Sequence, residues 1–217
     1  DYTYIPGGSK ANSFGIHDID LQARFKFPAW SRLVDSQSPM ATPLYLTPGF
    51  SFNLLDWPTG LPPLPGPLPN SVFGAYLDTE WNPRLGPALA TELSLRIGVY
   101  SDFKKLNSDS LQIRGRAVGV LTIQEDAIFL KAGVIYLGRE HVSLLPTVGL
   151  VFMPTSDTRF DLVFPDPKLA VHLNTLNTVD VWGYLRAEYG GGSWTIDMGG
   201  SVIQADYNDV RIAVGLE

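Results

Sequence analysis

Glu92-Leu93-Ser94-Leu95-Arg96-Ile97-Gly98-Val99-Tyr100 alternates without a break: Leu93, Leu95, Ile97 and Val99 fall on one face, and Glu92, Ser94, Arg96 and Gly98 on the other. Side chains of an extended chain point to opposite faces with a period of two, so this stretch reads as a strand with one apolar and one polar side. The same grammar recurs at both ends of the chain. Ile19, Leu21, Ala23, Phe25 and Phe27 oppose Asp18, Asp20, Gln22, Arg24 and Lys26, while Val210, Ile212, Val214 and Leu216 oppose Asp209, Arg211 and Glu217.

Working outward from residues 92–100, ten such segments emerge, at 14–28, 43–55, 71–82, 89–103, 109–123, 127–138, 142–153, 158–173, 178–189 and 206–217. The count becomes twelve if Gly190 to Ala205 hides one more hairpin around Trp194-Thr195-Ile196 and Val202-Ile203. Turn signals such as Gln124-Glu125-Asp126 and Pro154-Thr155-Ser156-Asp157 separate the segments. Regular spacing and short linkers predict antiparallel neighbours in one domain over residues 1–217. The stretch at 57–70, with six prolines between Pro58 and Pro69, reads as one long stiff loop of that domain. Pro48, Pro146, Pro165 and Pro167 fall inside proposed strands, where each deletes a ladder hydrogen bond and is expected at an edge or bulge; Pro165-Asp166-Pro167 marks either a bulge or the point where a long strand leaves its ladder.

Composition narrows the class. Of 217 residues, 45% are hydrophobic and 18% charged, with no Cys, against about 25% charged in average soluble domains. Such a chain buries enough apolar surface to exclude disorder, and it has no disulfide or Cys-ligated zinc framework. Its two long uncharged windows, 36–55 and 57–77, are broken by proline and make no membrane-spanning helix. A net charge of −6 with no basic stripe argues against nucleic acid as a partner. No basic segment followed by an apolar run stands at Asp1, so a mature chain without its signal peptide is the expectation.

Alternation alone leaves open whether the apolar face points inward or outward, and the polar face decides. It carries ten basic and nine acidic residues, half of the chain's charges, nearly balanced and dominated on the basic side by Arg. Arg pairs with carboxylates bidentately and tolerates partial burial, which suits a confined polar interior. Aromatics gather near segment ends, among them Phe14, Phe27, Trp30, Trp81, Tyr100, Phe103, Tyr136, Phe152, Trp194 and Tyr207, as in the girdles of a membrane barrel. The expected fold is therefore all-β, a transmembrane antiparallel up-and-down β-barrel of about ten strands.

Val148-Gly-Leu-Val-Phe-Met-Pro-Thr-Ser-Asp-Thr-Arg-Phe-Asp-Leu-Val-Phe-Pro-Asp-Pro-Lys-Leu169, Glu188-Tyr-Gly-Gly-Gly-Ser-Trp194 and Asp206-Tyr-Asn-Asp-Val-Arg-Ile-Ala-Val-Gly-Leu-Glu217 resemble uncharacterised porin-like barrels of bacterial outer membranes. The resemblance implies that location, outer-membrane lipid as the surrounding partner, and either a porin-like channel for small solutes or a structural envelope role. Such chains commonly end in an aromatic residue, whereas this one ends at Glu217, an expectation of a missing last residue or an unusual assembly signal.

Arg96, Arg114, Arg116 and Lys131 come from three consecutive strands and form a lumen-lining basic patch suited to attracting anions. Asp18, Asp20, Asp180, Glu188 and Asp209 are the lumen-lining acidic residues, with Asp18 and Asp20 brought near Asp209 and Arg211 if first and last strands meet. Two other functions stand beside the channel. A soluble barrel binding an apolar ligand is the first. The second is an outer-membrane lipid hydrolase using His141 as base and Ser143 as nucleophile beside Glu140, since residues two apart share a strand face. His-x-Ser is a weak signal, and the chain is read as no enzyme, without cofactor or metal site. The uncharged Pro-rich loop is assigned to contacts with other envelope proteins or with a second copy.

Overall fold

The structure, a computed structural model, describes residues 2–5, 14–30, 41–58, 66–139, 142–177 and 179–217. Among them are thirteen strands: β1 (Tyr2–Ile5), β2 (Gly15–Gln22), β3 (Phe25–Trp30), β4 (Ala41–Asp56), β5 (Ser71–Trp81), β6 (Leu89–Ser101), β7 (Leu111–Gln124), β8 (Ile128–Tyr136), β9 (Leu144–Thr155), β10 (Thr158–Phe164), β11 (Lys168–Leu176), β12 (Val179–Asp197) and β13 (Val202–Leu216). The described residues contain no α-helix, only a 3-10 turn at Ser108–Ser110. Each strand pairs antiparallel with the next in the order β1-β2-β4-β5 and on to β13, an up-and-down meander.

Three differences from the ten expected segments have local causes. Residues 14–28 split at Ala23-Arg24, where Ala23 stands opposite Pro48 with no change of register. β2 and β3 then share one partner, Gln22 facing Gly49 and Phe25 facing Leu46. Pro48 opposes Ala23: its carbonyl accepts the Ala23 N–H (3.1 Å), and its missing donor removes the return bond of that pair, which interrupts the strand. Residues 158–173 split into β10 and β11 at Pro165-Asp166-Pro167, as the prolines require. The stretch from Gly190 to Ala205 is a hairpin, with β12 running on to Asp197 and pairing with β13 from Gly183–Leu216 to Asp197–Val202.

Closure also differs from a simple ring joining first strand to last. β12 reaches across to β6, where Thr195 and Ser101 form one parallel bridge, and the seven strands β6 to β12 make the closed barrel. The other strands extend the sheet from either side of that junction. Gly190-Gly191-Gly192 allows the path: Gly191 has φ +129°, which side chains disfavour. A Cβ at Gly190 would run into the Arg211 guanidinium, and one at Gly192 into the Trp194 ring.

Exposure is inverted relative to a water-soluble barrel. On the outer face Leu77, Ile97 and Ile113 sit in one register row, 45%, 44% and 48% exposed. On the inner face one residue away, Asp78 and Arg96 are half-buried and paired. A buried apolar cluster sits at one end, where Trp194, Ile196 and Met198 of the β12–β13 tip pack on Ile16, Leu55, Val72, Tyr76 and Tyr100.

Candidate functional site: the charged interior

The interior side chains are held by their neighbours across the strands. Tyr76 lies between Gly49 and Gly98 in the register, and a Cβ at either glycine would collide with Tyr76. The glycines thus let the ring lie flat along the wall, where its hydroxyl donates to Asp20 Oδ1 (2.6 Å) and its face carries the Arg96 guanidinium (4.0 Å to the centroid). Arg96 in turn forks onto Asp78, with Nε to Oδ1 at 2.7 Å and Nη2 to Oδ2 at 2.5 Å. A second network centres on Glu92, whose two oxygens accept from Arg116 (2.7 Å) and Lys131 (2.6 Å).

The four predicted basic residues therefore line adjoining strands β6, β7 and β8, and they share two carboxylates. Asp78 answers Arg96, and Glu92 answers both Arg116 and Lys131. Among the described residues Arg114 has no carboxylate partner: its Nη2 donates to Gln112 Oε1 (2.9 Å), it stacks over Tyr100 (4.5 Å), and its buried Nε has no hydrogen-bond partner.

The acidic residues fall into separate places. Asp209 and Glu188 flank Arg211 at 2.9 and 3.5 Å, and Glu188 also pairs with Arg186 at 2.8 Å. Asp18 on β2 lies within the field of Arg211 on β13, and the rings of Phe14 and Tyr207 approach to 5.3 Å, so the first and last strands do face each other at this end. Asp20 meets Tyr76 instead. Asp180 is exposed at the β11–β12 turn, where it accepts from Thr175 Oγ1 (2.7 Å). Ser143 is exposed beside Leu144, and its carbonyl accepts the Leu137 N–H (2.8 Å); His141 and Glu140 lie outside the described residues, as does most of the Pro-rich loop.

The aromatics divide between the two faces. Phe27, Phe103, Tyr136 and Phe152 are on the outside, 37–45% exposed. Tyr100 and Trp194, expected in a girdle, are instead buried in the end cluster, Trp194 stacked on Tyr207 at 5.6 Å. Trp194 is carried inward by the path of β12 at its glycines, while Tyr100 lies on the same face of β6 as Arg96.

The β12–β13 tip is fastened by polar contacts that local sequence reading does not reveal. Thr195 Oγ1 meets Ser110 Oγ (2.6 Å) and the Tyr100 carbonyl (3.2 Å), while the Asp102 N–H donates to the Thr195 carbonyl (3.1 Å). Gln112 Nε2 donates to the Ser193 carbonyl (3.0 Å). Arg139, in the β8–β9 connection, donates to the carbonyls of Gly190 and Gly191 (each 2.9 Å) and to Asn208 Oδ1 (2.8 Å). Burial pulls the Arg139 guanidinium below the ordinary arginine value, and the neighbouring Tyr189 and Tyr207 oppose that pull.

Three cavities adjoin one another. One of about 690 Å³ sits among turn residues at the other end, including Asp126, Ser156 and Glu217. It shares Asp161 and Lys168 with a charged cavity of about 250 Å³. That one shares Arg116 and Ile135 with a third, of about 310 Å³, which reaches Arg114. Together the three run from the turn residues around Asp126 and Glu217 to Arg114. Comparison with family models, with curated proteins and with solved structures finds no match for this chain.

Proposed function

We propose that the protein is an integral β-barrel of a bacterial outer membrane that offers small polar solutes a porin-like passage, narrowed at one end by the β12–β13 tip. The observation that carries the reading is the inverted exposure. Rows of Leu, Ile, Val and Phe face outward all along the sheet, whereas the interior holds Arg, Asp, Glu and Lys in ion pairs. In water the outer rows would form one continuous apolar surface, far beyond the few hundred Å² that monomeric soluble proteins expose. In lipid they are the favoured surface.

A second reading, a closed barrel with a structural role, is favoured by the tip itself: Ser193, Thr195 and Ile196 are all at most 1% exposed and fill one end. The two are separated by one experiment. Extraction is expected to require detergent, with a shift in gel mobility between unheated and heated samples, and the refolded barrel is expected to conduct in a planar bilayer. Free solubility at high concentration overturns the membrane assignment. Membrane insertion with no conductance overturns the passage and leaves the structural barrel. Ser110→Cys with Thr195→Cys tests the tip: oxidation is expected to hold conductance at its lowest level and reduction to restore it.

A further inference from the structure

Among the described residues, Arg114 is the interior cation whose surroundings are least complete. Its register partner Arg96 is committed to Asp78 and Tyr76. Its neighbour two residues on, Arg116, shares Glu92 with Lys131. The patch of four cations therefore carries two carboxylates and a surplus of two positive charges, with Arg114 as the member that has none of its own. Glu80, which also lines the cavity, is taken by Arg24 (2.6 Å).

A buried cation without a counter-ion is costly, because the protein replaces its water shell with too few oriented groups. Arg114 receives only the Gln112 amide oxygen and the face of Tyr100. Gln112 is held in that orientation because its nitrogen is spent on the Ser193 carbonyl. In front of the guanidinium lies the cavity of about 310 Å³, lined also by Arg96, Arg116 and Ser94. That is room for several water-sized groups at about 30 Å³ each. A planar fork of N–H donors matches the oxygens of a carboxylate, phosphate or sulfate and is indifferent to neutral solutes.

We infer that Arg114, flanked by Arg96 and Arg116, forms a binding site for a small oxyanion in the barrel interior. The inference deepens the porin-like reading by naming its solute class, and it rests on that reading only for what the binding is for. Without a membrane the same site would still bind.

The test uses the full chain in detergent and inorganic phosphate as the probe, with chloride at matched ionic strength as the reference. Heat-unfolding is followed by gel mobility and by tryptophan fluorescence. A saturable rise in the midpoint is expected for the wild type, about 3–6 °C at phosphate tenfold above its dissociation constant. Arg114→Gln is expected to lose the rise, Arg114→Lys to keep a fraction of it, and Arg84→Gln, at an exposed bridge position remote from the cavity, to keep all of it. No phosphate-specific rise in the wild type overturns the inference, as does an equal rise in Arg114→Gln; if Arg114→Gln does not fold, the same comparison is read on Arg114→Lys. A rise that depends on Arg114 in a chain that proves soluble without detergent removes the membrane reading and keeps the site. A barrel that inserts and conducts but shows no rise does the reverse.

Discussion

Replacing Ile97 by Arg separates a lipid-facing wall from a wet one by a margin large enough to measure. Ile97 sits on the outer face between Leu77 and Ile113, and all three are nearly half-exposed. It lies four residues before the end of β6 at Ser101. At about 3.3 Å per residue and a strand tilt of about 40°, that places it roughly 10 Å below the end of the strand, close to the centre of an apolar band about 25 Å tall. Arg at the centre of the lipid face costs about 2–4 kcal/mol, a fall of roughly 30- to 700-fold in the folding equilibrium. On a water-facing surface the same change is within about 0.5 kcal/mol. Leu216→Arg, at the last position of β13, provides the depth control, with an expected cost of about 0–1 kcal/mol. The assay is urea unfolding of the barrel refolded into phospholipid vesicles, followed by tryptophan fluorescence and mobility on unheated gels. Equal, near-zero costs for the two variants would refute the lipid-facing assignment of β6.

Three further outcomes follow from the interior. Arg139→Ala removes a charged donor from two buried carbonyls and from Asn208; a loss of about 2–4 kcal/mol is expected, with quicker proteolysis between residues 190 and 205 as the sign that the tip has loosened. Gly98→Ala drives a methyl into the packing of Tyr76 and Tyr100 and is expected to cost about 1–3 kcal/mol by overpacking, while Ala at Gly86, where a Cβ meets open space, leaves the urea midpoint unchanged. Asp166, in the turn between β10 and β11, has its carboxyl raised above the ordinary carboxylate value by burial, with Arg186 opposing the rise. The folded state then binds its proton more tightly than the unfolded one, so its contribution favours folding below the unfolded carboxylate value and is lost as pH rises through the folded one. Asp166→Asn is accordingly expected to raise the urea midpoint at pH 7 and to leave it unchanged near pH 3.

The strands were legible because their information is local. Residues 92–100 declare both faces within nine positions, and the faces come out as read, with Leu95 and Ile97 outward and Arg96 inward against Asp78. The prolines were legible for the same reason: Pro48 stands opposite one strand break and Pro165 at another, since the effect of a missing N–H is local to its strand pair. Closure was not legible. A ladder of short-range pairings gives no sign that β12 will leave the wall, and Gly190-Gly191-Gly192 reads equally well as a turn. What makes it an inward path is a set of partners far off in the chain: Ser101, Ser110 and Arg139.

The site shows the same division. Alternation placed Arg96, Arg114, Arg116 and Lys131 on one wall, and in doing so listed four like charges without their counter-ions. Which of them are neutralised depends on register, a property of strand pairs that no single strand contains. Asp78 meets Arg96 because β5 and β6 align those two residues, and Glu92 reaches Lys131 across β7, two strands away. Register therefore turns an undifferentiated basic patch into three cations that reach a carboxylate and one that, among the described residues, reaches none. The one left over stands next to Gln112, whose amide is bound to the hairpin tip, so the tip that narrows the barrel also orients the partner of its unpaired charge. Moving the tip would free Gln112 and leave Arg114 with Tyr100 alone, which ties any opening of that end to a change in the affinity of the interior for anions.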